Sequence, residues 1–371
     1  MTIKFIITSI FLGATFIQLC YWCFLFSKFA LHQEKEKENG PKDEIPISII
    51  ICAKNESENL KKNLPLILNQ NYRSLEVIVV NDSSTDDSER VLLDFKQKNN
   101  YLRIINFNNT NKSHIGKKFA LAEGIKAARY ETLLLTDADC HPTSRNWVYN
   151  MQKSMRDNIE IVLGYGPYEK APGFLNIFVH YETVYTAIQY FTFALIGQTY
   201  MGVGRNLLYK RSLFFQSEGF TKHEHVASGD DDLFINEVAR DNNVRVNLDE
   251  TTFMYSAPKK TWKSFYHQKA RHMTTGGMYQ KKHQLLLGLL SASHFLHYWG
   301  GIVLILKFST MFAGVIYMVR ILVLLFWYTF ILKKLKAVSL LKWIPILDAF
   351  HVVYYLVFLP KLFIGKKNTW T

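Results

Sequence analysis

Thr136-Asp137-Ala138-Asp139 places two carboxylates one residue apart, directly after the apolar run Leu133 to Leu135. Carboxylates that leave a strand end together can hold a hard divalent cation, and such a cation neutralises a diphosphate as it departs. A bare DxD arises by chance, so its weight comes from the residues around it. Farther along, Ser228-Gly229-Asp230-Asp231-Asp232-Leu233 sets three carboxylates in succession before an apolar run. Crowding of like charges raises at least one carboxyl pKa, which suits a general base that must take a proton from a hydroxyl. The rival role, capping the helix that follows, needs only one acid.

Three further positions carry candidate chemistry. Asp82 stands where Val79-Val80-Asn81-Asp82-Ser83-Ser84-Thr85-Asp86 runs out of a strand into a turn-rich loop. Its carboxylate can accept hydrogen bonds from a nucleobase or ribose, or serve only the turn, while Asp86 is expected to cap the next helix. Lys117, in Gly116-Lys117-Lys118 at the start of an expected helix, can approach a diphosphate with help from the helix N-terminus. The glycine and Ser/Thr spacing of a Walker A motif is absent, and a solvated lysine is the rival reading. Gln268-Lys269-Ala270-Arg271-His272 lies on a basic helical stretch, where Arg271 can stabilise a leaving diphosphate. A juxtamembrane lipid contact explains Lys269, Lys281 and Lys282 equally well.

Positioning these groups calls for a parallel sheet covered on both faces, because short β-branched runs alternate with helical patterns. The expected strands are Ile47 to Cys52, Leu75 to Val80, Leu102 to Ile105, Thr132 to Thr136 and Glu160 to Gly164. Polar groups follow three of them: Asn55 and Glu56, Asp82, then Asp137 and Asp139. Ligands of open parallel sheets sit at the carboxyl ends of the strands, so this placement gathers them into one crevice. The sequence shows no internal repeat and no low-complexity tract.

The chain has 371 residues, a formal charge of +13 and 49% hydrophobic residues. Nucleic acid is not the expected partner, because no recognition motif accompanies the charge and lysines gather beside apolar runs near the C-terminus. Phe5 to Ser27 carries no charge and is long enough to cross a hydrocarbon core of about 30 Å, as a retained anchor. Apolar character returns at Leu285 to Leu306, Phe308 to Leu332 and about Ile344 to Phe363, the last containing Pro345, Asp348 and Pro360 and able to span or lie in the interface. Lys333, Lys334, Lys336 and Lys342 assign the loop between the last two to the cytoplasm, and counting back places Gln33 to His283 there too. Arg320 and Asp348 are candidates for a buried pair. Thr183 to Gly204 lacks charge but has too many polar groups for a lipid-exposed helix, so it is expected to pack on the core or rest on the membrane surface. Four cysteines make no disulfide framework, and Cys20 and Cys23 read as small apolar residues of the first helix.

Five pieces in order resemble the family 2 glycosyltransferases with a GT-A fold, over roughly Ile45 to Thr275. They are Ile47 through Glu56, the Asn81 to Asp86 loop, the TDAD, the GDD and a QxxR. The QxxR and flanking apolar helices are similar to the branch that includes hyaluronan and cellulose synthases and ceramide glucosyltransferases. By that resemblance Ala53, Asn55, Glu56, Asp82, Lys117 and Asp137 bind the donor, and Asp139 with Asp137 holds Mg2+ or Mn2+. Asp231, beside Asp230, is the base; Gln268 and Arg271 line the diphosphate and acceptor end; Gly204, Asn206 and His272 meet the acceptor. His272 stands where the branch has tryptophan, which favours single addition over a processive polymerase.

The expectation is an α/β GT-A enzyme, Rossmann-like and mostly parallel, with transmembrane helices at both ends. Its regions are an anchor (1–31), a linker (32–44), a catalytic domain (45–283) and a C-terminal membrane region (284–371) with two spanning helices and a third spanning or interfacial one. Its partners are a nucleotide sugar, expected to be a UDP-sugar, a lipid or glycan acceptor and the lipid bilayer. The setting is a bacterial inner membrane with the catalytic domain cytoplasmic, and transfer inverts the sugar. The rivals are a polyprenyl-phosphate sugar transferase, which does not need the QxxR, and a non-catalytic membrane protein that senses nucleotides.

Overall fold

Ile47–Ala53, seven residues that are all buried, form the first strand (β1) of a computed structural model. The structure describes residues 2–33, 43–107, 116–156, 158–226, 228–308 and 311–363. Most of the expected linker, 34–42, lies outside the described residues. The remaining strands are β2 (Leu75–Asp82), β3 (Leu102–Phe107), β4 (Thr132–Asp137), β5 (Cys140–Pro142), β6 (Ile161–Leu163), β7 (Leu207–Lys210), β8 (Val244–Val246) and β9 (Met254–Ser256).

Seven of them form one sheet in the order β3-β2-β1-β4-β7-β6-β8. The first four are parallel, as their near-continuous apolar runs require of strands buried on both faces. Ala53 pairs in register with Asn81, and Cys52 with both Val80 and Asp137, so β1, β2 and β4 end level with one another. All five expected strands form, most of them running a residue or two farther toward the crevice. The sequence did not disclose β7, which enters antiparallel to both β4 and β6. It extends the sheet beyond the acidic turn and delivers the residues before it, Gly204–Asn206, to the same crevice. A small antiparallel pair, β5 with β9, closes one side.

The helix Phe174–Leu195 is largely buried, with Phe178, Tyr181, Val184 and Ile188 all in the core. It is a packing helix and does not separate the two acidic motifs. Among the described residues four other helical stretches are long and apolar enough to cross a membrane: Ile3–Leu31, Lys281–Phe308, Met311–Lys334 and Val338–Phe358. Tyr21–Phe26, inside the first, is π-helical. The pair expected inside this bundle is present. Arg320 Nη1 donates to Asp348 Oδ2 at 2.6 Å, and Tyr298 OH donates to the same oxygen at 2.7 Å. Arg320 Nη2 also donates to Gln18 Oε1 at 3.0 Å, tying the first helix to the last two. All four cysteines are free thiols.

Candidate active site

The two acidic motifs meet through one ammonium. Lys117 Nζ lies 2.9 Å from Asp137 Oδ1 and 3.0 Å from Asp230 Oδ2. It is the first residue of the helix Lys117–Ala127, after Gly116, whose φ of 142° favours glycine. Burial works to lower the Lys117 pKa, but Asp137, Asp230 and Asp231 outweigh it and hold the pKa well above the ordinary value. The solvated-lysine reading of Lys117 therefore does not hold.

Asp231 is the half-buried N-cap of the helix Asp232–Val238. Its Oδ1 accepts from Asp232 N–H at 2.8 Å and its Oδ2 from Gly204 N–H at 2.7 Å. Burial, and then the charges of Asp230 and Asp232, push its pKa up to about 7, against the opposing pull of Lys117 and the Gly204 N–H. Burial acts on Asp230 in the same direction, but Lys117 overrides it and leaves that carboxyl below the usual range. Neighbouring carboxylates with pKa values driven apart mark an assigned acid–base role. Asp232 turns away, accepting from Thr275 Oγ1 at 2.5 Å and Tyr279 OH at 2.7 Å, so its role is to pin the helix.

At the end of β4, single donor atoms of Asp137, Asp139 and Cys140 lie within 4.8 Å of one another. Two carboxylates suit a hard cation such as Mg2+ or Mn2+. The Cys140 thiol does not, since burial raises its pKa well above the usual value and it donates to Asp139 Oδ1 at 3.3 Å. Burial and the neighbouring Asp137 raise the Asp139 pKa, and burial followed by Asp139 and Asp137 raises that of Glu56. With Lys117 paired to Asp137 and Arg205 near Asp139, the pKa values of Asp139 and Glu56 still stand raised, which fits a further cation held at this turn.

Asp82 is fully buried at the end of β2, and its Oδ2 has no hydrogen-bond partner. Burial raises its pKa against the pull of Lys54. A buried carboxylate oxygen left without a partner at a strand end has capacity for a further donor. Asn55, at φ 56°, ties the β1 loop to the β2 loop through Thr85 N–H at 2.8 Å. Ala53 is packed in the core and offers only its backbone. Asp86 is not the N-cap of Ser88–Lys98, which is Asp87. Its carboxylate instead accepts from both Ser57 N–H and Ser88 N–H, clamping two helix starts.

On the opposite wall, Arg271 Nε is buried without a partner, as a guanidinium waiting for an anion would be. Gln268 Nε2 donates to Tyr168 OH at 3.1 Å. The His272 side chain is exposed in part, yet protein packs densely around its ring; lost solvation, then Lys269, Arg271 and Arg205, hold its pKa well below the usual value. The expected acceptor contact of Asn206 is corrected. It is wholly buried, with both amide N–H groups given to Tyr165 O and Thr252 O and its Oδ1 taken by Trp147 Nε1. It anchors the turn that aims Gly204 at Asp231.

Arg205 was missed. Its guanidinium lies 4.4 Å from the centre of the Tyr168 ring and donates to Ser256 Oγ at 2.7 Å, close enough to Asp139 and Asp137 to feel their charge. The available signal was a lone cation inside Gly202-Val203-Gly204-Arg205-Asn206. Lys118 was missed too. It donates to His223 O at 2.6 Å, and burial lowers its pKa to about 8.

A family model described as Glycosyl transferase family 2 matches residues 48–215. A second, described as Glycosyl transferase family group 2, matches residues 134–335, more than half of the chain. A poly-beta-1,6-N-acetyl-D-glucosamine synthase of Staphylococcus epidermidis is 38% identical over 93 residues, 25% of this chain and 21% of that protein. The synthase of the same name from Staphylococcus aureus is 28% identical over 125 residues, 32% of this chain and 29% of that protein. The chain thus matches less than a third of the length of these relatives. A mannosyltransferase from Pyrobaculum calidifontis, solved with GDP-Man and Mn2+, superposes with a TM-score of 0.59 at 18% identity, covering 95% of this chain and 98% of that one. That likeness bears on the fold alone. With the family models spanning the acidic turn, the GDD and the QxxR alike, the chain belongs to the family 2 glycosyltransferases and has their GT-A fold.

Proposed function

We propose that this chain transfers a sugar from a UDP-sugar to a hydroxyl of a lipid or glycan acceptor, inverting the anomeric carbon, at the cytoplasmic face of a bacterial inner membrane. The observation that carries the reading is the Asp231 carboxyl, poised near pH 7 and aimed by Gly204 in a cleft it shares with the TDAD turn.

Asp82 receives the base or ribose of the donor, and Asn55 and Glu56 shape the loop beside it. Lys117, at a helix start, and Arg271 face the diphosphate. Asp137 and Asp139 would hold Mg2+ or Mn2+, which when bound would supply positive charge to the leaving nucleoside diphosphate. Asp231 takes the proton of the acceptor hydroxyl as that oxygen attacks the anomeric carbon from the face opposite the leaving group. Gln268, Gly204 and His272 border the acceptor end. Lys336, between the last two apolar helices, pairs with Glu250 of the catalytic domain at 2.7 Å, which supports one shared side for the lysine-rich loop and the cleft. Similarity to the two synthases makes UDP-N-acetylglucosamine the first donor to test. Membranes containing the chain, incubated with labelled nucleotide sugars and lipid extract and then resolved into lipid and polymer products, test the proposal. Release of nucleoside diphosphate with label in one fraction is expected; binding without release from any donor contradicts it.

A further inference from the structure

A cavity of about 240 Å³ lies between the catalytic domain and the segment joining the last two apolar helices. Tyr168, Lys170 and Tyr255 line one side, and Lys336, Lys342 and Trp343 the other. Every charged side chain lining it is a lysine; no carboxylate does so among the described residues. Lys336 has the one ion pair of the three among the described residues, with Glu250, and both side chains are half exposed. Exposed pairs of this kind contribute little and reorganise readily. Lys342 rests 5.8 Å from the centre of the Trp343 ring. Three ammonium groups around one recess, with little countercharge, favour an anion. The volume falls below the roughly 300 Å³ at which ordinary small-molecule pockets begin, and suits a phosphate group with its first ester carbons.

We propose that this cavity binds the phosphate of an anionic lipid headgroup, at a site separate from the donor cleft. The level of the cavity points to the lipid source: a segment joining two spanning helices lies among headgroups, where lysine and tryptophan are expected. This placement rests on the reading that the apolar helices cross the bilayer. Tyr168 connects the cavity to the cleft, since it lines the one while its OH accepts from Gln268 and its ring underlies Arg205 in the other.

The test is native mass spectrometry of the detergent-solubilised full chain with added phosphatidylglycerol or phosphatidylcholine, and in parallel with inorganic phosphate as competitor. Wild type should retain phosphatidylglycerol over phosphatidylcholine. The Lys170→Gln/Lys342→Gln variant should lose about 25-fold of that retention, roughly fivefold per lysine, while Lys170→Arg/Lys342→Arg keeps it. Inorganic phosphate binding that is lost in the Gln variant without any lipid preference in wild type would keep the phosphate site but assign it a soluble ligand. Equal retention of both lipids by wild type, with phosphate binding unchanged in the Gln variant, overturns the proposal. Asp231→Asn should retain lipid as wild type does, so a failure of the transfer reading shows separately, as turnover near that of wild type in this variant with lipid retention unchanged.

Discussion

The backbone N–H of Gly204 donates to Asp231 Oδ2 at 2.7 Å and so orients that carboxylate across the gap between two loops 27 residues apart in the chain. A Cβ at position 204 would stand 3.2 Å from that oxygen and 3.4 Å from Asp231 Cβ. Gly204→Ala should therefore turn the carboxylate and lower kcat by about 10²-fold, as small misplacements of catalytic groups do. Donor affinity, read from UDP binding, should stay within about twofold.

Asp231 also sets the pH response. With its pKa near 7, the basic form is lost on acidification, and kcat/KM should fall about tenfold per pH unit below that point. The stability response has the opposite sense. A carboxyl whose folded pKa is raised from 3.8 stabilises the fold fully only below pH 3.8, and loses that contribution as pH climbs through about 7. Asp231→Asn should thus raise stability by about 1–3 kcal/mol at pH 8, with the gain vanishing toward pH 4. Thermal unfolding at both pH values measures it.

Lys117 pairs with both Asp137 and Asp230, and it pulls the Asp231 pKa down. Lys117→Met should cost about 10²-fold in turnover and move the acid limb of the rate profile to higher pH. Rates of Lys117→Met and Lys117→Arg across pH 5.5–9 check both points, the arginine keeping the limb in place.

Removal of divalent cations with a chelator should abolish transfer, with Mn2+ or Mg2+ restoring it. In Asp139→Ala, Mn2+ binding read by electron paramagnetic resonance should weaken by at least about tenfold while thermal stability holds. Unchanged Mn2+ binding would remove Asp139 from the metal site.

Arg320 and Asp348 are wholly buried between apolar helices and bonded at 2.6 Å. Either Arg320→Ala or Asp348→Ala strands the other charge and should cost about 3 kcal/mol or more. Arg320→Met/Asp348→Leu should cost less than either single change, as melting in detergent would report.

The parallel half of the sheet was legible because β1, β2 and β4 are long runs of β-branched and apolar residues that end in polar turns. The antiparallel β7 was not, since Leu207–Lys210 is four residues long and its pairing with β4 is set by contacts far apart in sequence. The acidic motifs could be found by type and spacing, as could the Arg320 and Asp348 pair by their cost in an apolar run. Which carboxylate the lysine would neutralise could not, because Lys117 lies 113 residues from Asp230 and nothing local records their approach. Asn206 shows the converse failure: a polar residue in a motif reads as ligand-binding until burial reveals that its amide is fully used by the protein.

The most direct test of one site shared by the TDAD turn and the GDD is transfer of labelled sugar by purified wild type and Asp231→Asn, with UDP binding measured on the same samples. The account predicts loss of transfer by at least about 10³-fold in the variant with UDP binding intact. Turnover near that of wild type in Asp231→Asn would contradict it.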